Sequence, residues 1–88
     1  MRHAREDDLG PLADLLESLR AIDGLTERKP GTFYRKSSGF LHFHVDPAGL
    51  FADLKEDGRF ERHRVSTQAE QRRLLARARA ELRRESSG

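Results

Sequence analysis

His42-Phe43-His44-Val45-Asp46 places two imidazoles and a carboxylate at alternate positions, and Asp53 follows shortly after. In an extended strand, successive side chains point to opposite sides, so His42, His44 and Asp46 share one face. Imidazole and carboxylate together suit zinc or another first-row divalent ion. If the next strand returns antiparallel, Asp53 comes to lie opposite His42, and the metal candidates are His42, His44 and Asp53. The plain alternative is a His–Asp cross-strand pair, worth a few tenths of a kcal/mol up to about 1. No catalytic residue is assigned. Ser37, Ser38 and Ser66 suit turns or caps, and the Asp7-Asp8 and Glu56-Asp57 pairs fall in exposed settings that would not shift a pKa.

The elements that must hold these residues are legible in the spacing. Leu12, Leu15, Leu16, Leu19 and Ile22 fall on one helical face, with Pro11 early and Gly24 as a left-handed stop, which predicts a helix over 9–23. Residues 24–31, with Glu27-Arg28-Lys29 and Pro30-Gly31, read as a loop. Four strands follow, at 32–36, 40–46, 50–55 and 60–65, separated by Ser37-Ser38-Gly39, Asp46-Pro47-Ala48-Gly49 and Asp57-Gly58. Thr67-x-x-Glu70 is a capping-box pattern that opens a second helix, on which Gln71, Leu74, Leu75, Ala78 and Leu82 share an arc. The expected fold is α+β: helix, four-stranded antiparallel meander, helix, in two layers with both helices on one sheet face. One domain spans 9–85, with flexible tails at 1–8 and 86–88.

Register turns this fold into a functional expectation. With Pro47 and Ala48 as loop residues, Val45 opposes Leu50, Phe43 opposes Ala52 and Leu41 opposes Leu54, an apolar face for the helices to cover. The other face then carries His44 opposite Phe51, His42 opposite Asp53 and Phe40 opposite Lys55. A two-residue loop at Asp57-Gly58 adds Phe60, Arg62 and Arg64 to this outer face, whereas a three-residue loop sends Phe60 inward; spacing alone leaves both open. The expected binding face is therefore Phe40, His42, His44, Phe51, Asp53, Arg62 and Arg64.

Composition narrows the class. Among 88 residues there are 17 basic and 15 acidic groups and no cysteine, which removes disulfides, thiolate metal sites and thiol nucleophiles. Leu, Ile, Val and Phe together number 20 of the 88, just above the roughly 20% below which charged chains stay unfolded. No apolar run approaches the ~20 residues that span a bilayer, and the charged N-terminal segment is unlike a secretory signal, so the expected location is cytoplasmic. Charge is uneven: residues 1–58 carry 8 basic and 11 acidic groups, whereas 59–88 carry 9 and 4. Arginine outnumbers lysine 14 to 3, which also fits a compositional bias.

The His-x-His-x-Asp segment resembles the opening of the histidine motif of the metallo-β-lactamase fold, HxHxDH. Pro47 stands where that motif has its next histidine, and the assignment is rejected. A second resemblance is broader. Lys29-Pro30-Gly31-x-Phe33-Tyr34, followed by Leu41-His42-Phe43-His44-x-Asp46-Pro47-Ala48-Gly49-Leu50-Phe51-Ala52-Asp53, is similar to a group of short uncharacterised bacterial proteins over about residues 12–82. That resemblance implies a compact cytosolic domain and no particular activity.

The functional expectation is a small non-enzymatic binding or assembly module that uses the outer sheet face, most simply to form a homodimer. Metal binding or metal-dependent activity at His42, His44 and Asp53 is the alternative, with zinc or another divalent ion as the cofactor; otherwise no cofactor is expected. Single-stranded nucleic acid held by the Phe and Arg side chains of the sheet is a third, not favoured for want of an RNA-binding motif. No membrane partner is expected.

Overall fold

A short, tight turn at Pro47-Ala48 forces the two longest strands into antiparallel register, and the remaining sheet grows outward from that hairpin. The computed structural model describes residues 1–87, the last three through their backbone only. Its strands are β1 (Arg2–His3), β2 (Leu25–Lys29), β3 (Thr32–Arg35), β4 (Ser38–Asp46), β5 (Gly49–Glu56) and β6 (Arg59–Arg64). Its helices are α1 (Ala13–Arg20) and α2 (Gln68–Ser87), with 3-10 turns at Glu6–Asp8 and Gly10–Leu12. No helix among the described residues is long and apolar enough to cross a membrane.

The β4–β5 register follows the expected pairing from Leu41 opposite Leu54 to Asp46 opposite Gly49, with His42 opposite Asp53 and His44 opposite Phe51. The β5–β6 connection is the two-residue one: Asp57 and Gly58 both take positive φ, 53° and 82°, the geometry of the hairpin turn that matches strand twist. Lys55 thus faces Phe60, Asp53 faces Arg62 and Phe51 faces Arg64.

The sheet is six-stranded, not the expected four-stranded meander. The order is β2-β3-β4-β5-β6, and β1 pairs with β4. Residues 25–29, expected as a loop, form β2, and Pro30-Gly31 is its hairpin turn onto β3. Charge hid this strand. Glu27 faces α1 and is ion-paired with Arg20, while Arg28 stacks its guanidinium 4.4 Å from the Tyr34 ring centroid. Edge strands tolerate such charge, since only one side of their ladder is paired. Residues 2–3, placed in the expected N-terminal tail, form β1: Arg2 opposes Val45, His3 opposes His44, and Ala4 N–H donates to Phe43 C=O at 2.9 Å. With β5 on one side of β4, β1 and β3 share the other, β3 along residues 38–42 and β1 along 44–45. Ser86 and Ser87 belong to α2 rather than to a tail, and Gly88 lies outside the described residues.

Both helices cover the face bearing Phe33, Leu41, Phe43, Ala52 and Leu54, and the core adds Leu12, Leu15, Leu16 and Leu19 with Leu74, Ala78 and Leu82. The first helix is shorter than its apolar stripe, because Leu12 precedes it in the 3-10 turn and Ile22 follows it. Thr67 and Glu70 form the reciprocal cap: Glu70 N–H donates to Thr67 Oγ1 at 3.1 Å and Thr67 N–H to Glu70 Oε1 at 3.0 Å. Buried Gln71 donates to the carbonyls of Pro11 and Val65 at 3.2 and 3.1 Å, fastening α2 to both the N-terminal segment and the end of β6.

Phe40 departs from the expected outer face. Leu41 opposes Phe33 but Gly39 opposes Tyr34, so Phe40 is an extra residue, a β-bulge on β4. The bulge breaks the alternation, and Phe40 joins the core at 3% exposure, whereas Phe60 on the outer face is 46% exposed. Accordingly Phe40→Ala should cost about 3–5 kcal/mol of unfolding free energy, and Phe60→Ala less than about 1. Urea denaturation measures both; equal losses would contradict the bulge.

A candidate metal centre on the open sheet face

The pleat delivers His42 and His44 from β4 and Asp53 from β5 to one point on the face that carries no helix. His42 Nδ1 lies 2.9 Å from His44 Nε2, His44 Nε2 lies 3.0 Å from Asp53 Oδ2, and His42 Nδ1 lies 3.9 Å from the same oxygen. From β6, Arg62 reaches across with a two-pronged grip, Nε to Oδ1 at 2.8 Å and a terminal nitrogen to Oδ2 at 2.9 Å. That geometry is the strong form of the Arg–carboxylate pair and fixes the plane of the Asp53 carboxylate.

His3 completes the group. Because β1 places His3 opposite His44, its ring stands 4.5 Å from that of His44 and 5.5 Å from that of His42, centroid to centroid. One nitrogen from each of His3, His42 and His44 falls within a cluster whose members all lie within 4.8 Å of one another. The Phe60 ring lies 5.0 Å from His42 and walls the opposite side. Long side chains thus roof a face that has no helix on it: His44 and Asp53 are each only 8% exposed.

Charge and protons are finely balanced here. Burial, reinforced for His42 by the neighbouring His44, holds both imidazole pKa values below the ordinary 6.5; Asp53 opposes the effect without cancelling it. The Arg62 hydrogen bonds hold Asp53 below the ordinary 3.8, outweighing its own burial. Near neutral pH His42 and His44 are therefore neutral imidazoles beside an ionised Asp53 carboxylate. A neutral imidazole carries one N–H, yet His44 Nε2 has two partners at hydrogen-bond distance. If His44 Nε2 holds the proton, it can aim squarely at only one of them. If His42 Nδ1 holds it, the His44 lone pair faces a carboxylate oxygen. A cation at the centre relieves either conflict.

Of the residues expected on this face, His42, His44, Asp53 and Arg62 come together. Phe51 is half-buried and lies opposite His44 in the β4–β5 register. Arg64 is exposed and turns to the Ala48 carbonyl at 3.5 Å, away from the cluster. Phe40 is in the core and does not join the expected binding face. Asp46 is occupied elsewhere, with the Met1 amine at 3.6 Å and Ala48 N–H at 3.0 Å. Sequence spacing missed His3, since nothing local to Arg2-His3-Ala4 signals that the chain returns to β4.

Metal-free stability should depend on pH with a definite sign. Both imidazoles are depressed in the fold, so below the ordinary value of 6.5 the unfolded chain takes up protons that the folded one refuses. The stability they contribute is whole above that pH and falls as pH drops through the folded values. Asp53 adds a second loss below 3.8, because its pKa too is lowered by folding. Urea midpoints in chelator should decline from pH 7.5 to 5, and His42→Gln/His44→Gln should flatten that decline; equal slopes in the two proteins would refute the assignment. No protein-family model, curated protein or solved structure matches this chain, so the cluster is to be understood from its own chemistry.

Proposed function

We propose that this protein is a metal-binding module in which His3, His42 and His44, flanked by Asp53, hold one divalent d-block ion, with zinc as the reference case. The observation that carries this reading is the meeting of three imidazole nitrogens within 4.8 Å of one another. Zn–N bonds of about 2.0–2.1 Å in a tetrahedron require donor atoms roughly 3.4 Å apart. The separations of 2.9, 3.0 and 3.9 Å among His42, His44 and Asp53 straddle that figure, so small side-chain rotations suffice to close the site. Neutral imidazoles at His42 and His44 offer their lone pairs without first losing a proton, which favours loading near neutral pH.

Three nitrogen donors also argue about the kind of ion. Imidazole suits zinc, copper, nickel and iron, whereas calcium and magnesium prefer all-oxygen shells. Asp53, already oriented by Arg62, is placed to supply a fourth donor from Oδ2, the oxygen that lies 3.0 Å from His44 Nε2. Self-association through this face has less to support it, because Phe40 lies in the core and Phe60 is flanked by His42 and Lys55. Nucleic-acid binding on the sheet is likewise weakened, since the Arg62 fork is engaged by Asp53.

Zinc chloride titrated into the chelator-stripped protein, followed by calorimetry and by competition with a chromophoric chelator, tests the proposal. One ion should bind per chain. His42→Ala and His44→Ala should each weaken binding by about 100-fold or more, and Asp53→Asn by about 10–100-fold. Binding that is absent in the wild type, or undiminished in the folded His42→Ala and His44→Ala variants, would overturn it.

A further inference from the structure

The donors differ in how firmly the fold holds them. His42 and His44 sit two residues apart on β4, a nine-residue strand paired with β5 at both positions and with β3 at His42. His3 sits on β1, a strand of two residues. What holds β1 in place is slight: the pairing of residues 2–3 with 44–45, the bond from Ala4 N–H to Phe43 C=O, and half-buried Ala4 against the core. The other ties are the His3 ring against those of His42 and His44, the exposed Arg2–Asp8 ion pair at 2.7 Å and the Met1 amine near Asp46 at 3.6 Å. Met1, Arg2 and His3 are all exposed. Exposed ion pairs are worth about 0–1 kcal/mol each, and so short a strand buries almost no apolar surface to offset the entropy of ordering it.

We propose that metal occupancy controls the docking of the N-terminal strand: the ion, bound first by the rigid pair His42 and His44, captures His3 and pins β1 against the edge of β4. This inference rests on the metal-binding reading and adds a consequence to it. In the metal-free protein β1 exchanges between docked and released states, and release uncovers the Phe43 carbonyl and the edge of β4 beside residues 44–45. Loaded, the site lends β1 the free energy of one metal–imidazole bond, far more than its remaining contacts supply.

Linkage makes the proposal quantitative. If the docked state binds zinc more tightly than the released state by some factor, saturating zinc must shift docking toward the closed state by that same factor. That factor is also the affinity lost when His3 is removed, provided the remaining donors still bind. Local opening is read at a single amide, because exchange of a hydrogen-bonded N–H reports the population of the open state. Ala4 N–H is that amide, since it donates to the Phe43 carbonyl across the β1–β4 seam.

The experiment is NMR-detected hydrogen exchange at Ala4 in the full chain, with chelator and with saturating zinc chloride, alongside zinc affinities for the wild type and His3→Ala. Zinc should slow Ala4 exchange at least about tenfold, matching the fold loss of zinc affinity in His3→Ala. In His3→Ala, zinc should still bind through His42 and His44 but leave Ala4 exchange unchanged. Tight zinc binding with unchanged Ala4 exchange in the wild type, or full affinity in His3→Ala, would overturn the docking proposal while leaving a metal site at His42 and His44 intact. No zinc binding at all would remove both.

Discussion

The two-residue period of the β4–β5 hairpin is the constraint on which the rest of this molecule depends. A tight turn at Pro47-Ala48 sets residues summing to 95 opposite one another, and from that register every side chain is assigned a face. Leu41, Phe43, Ala52 and Leu54 meet the helices; His42, His44 and Asp53 are left on the other side. A slip of one residue would exchange the two sets, exposing the apolar row and burying imidazoles under α1 and α2. Core and cluster are consequently not separate features: the same pleat that makes the core gathers the donors.

How legible each part was follows from how local its cause is. The β4–β5 register and the Thr67–Glu70 cap depend on neighbours within a few residues and could be read from spacing, whereas the loop length at Asp57-Gly58 stayed open until the φ angles of both residues were seen. β2 could not, because an edge strand needs only one apolar side and uses charge against its exposed ladder; Glu27-Arg28-Lys29 looks like a loop until Arg20 and Tyr34 are seen to receive its side chains. Phe40 could not, because a bulge shifts the parity of everything before it, and no residue type announces a bulge. His3 lies 39 residues from His42, and its place is set by where the chain comes back, which periodicity does not encode. Thus three members of the imidazole–carboxylate cluster, His42, His44 and Asp53, were legible from spacing and register, and the third ring, His3, was visible only in space.

The cluster is also an energetic choice. Its positions lie across the sheet from apolar pairs, and a face of Thr, Val and Lys would hold six strands together as well. Instead His44 and Asp53 are almost fully covered, each at 8% exposure, and both must be compensated by hydrogen bonds. Compensation is complete in the sense that no buried side-chain polar atom among the described residues lacks a partner. It is still costly: buried ion pairs rarely outperform a well-packed apolar substitute. A small domain with only 20 large aliphatic and phenylalanine residues has little stability to give up in this way. A cost of that kind on a surface that packing does not need points to a use for the donors themselves.

Building such a site on strands rather than helices has a further consequence. Donors at i and i+2 of one strand share a fixed backbone spacing, and His42 and His44 are both paired with β5, so their separation cannot relax far without breaking the β4–β5 ladder. A third donor brought by a neighbouring strand, in contrast, is only as fixed as that strand. Asp53 arrives on β5, paired with β4 over six positions and clamped by Arg62; His3 arrives on two residues. A coordination sphere built from these donors would therefore inherit a gradient of rigidity from the lengths of the strands that supply it. Rigid donors would set which ion fits, while the loosely held one would determine how strongly binding is coupled to the shape of the chain. In a domain of this size, that asymmetry would let a small ion act on the placement of a whole terminal segment without any rearrangement of the core.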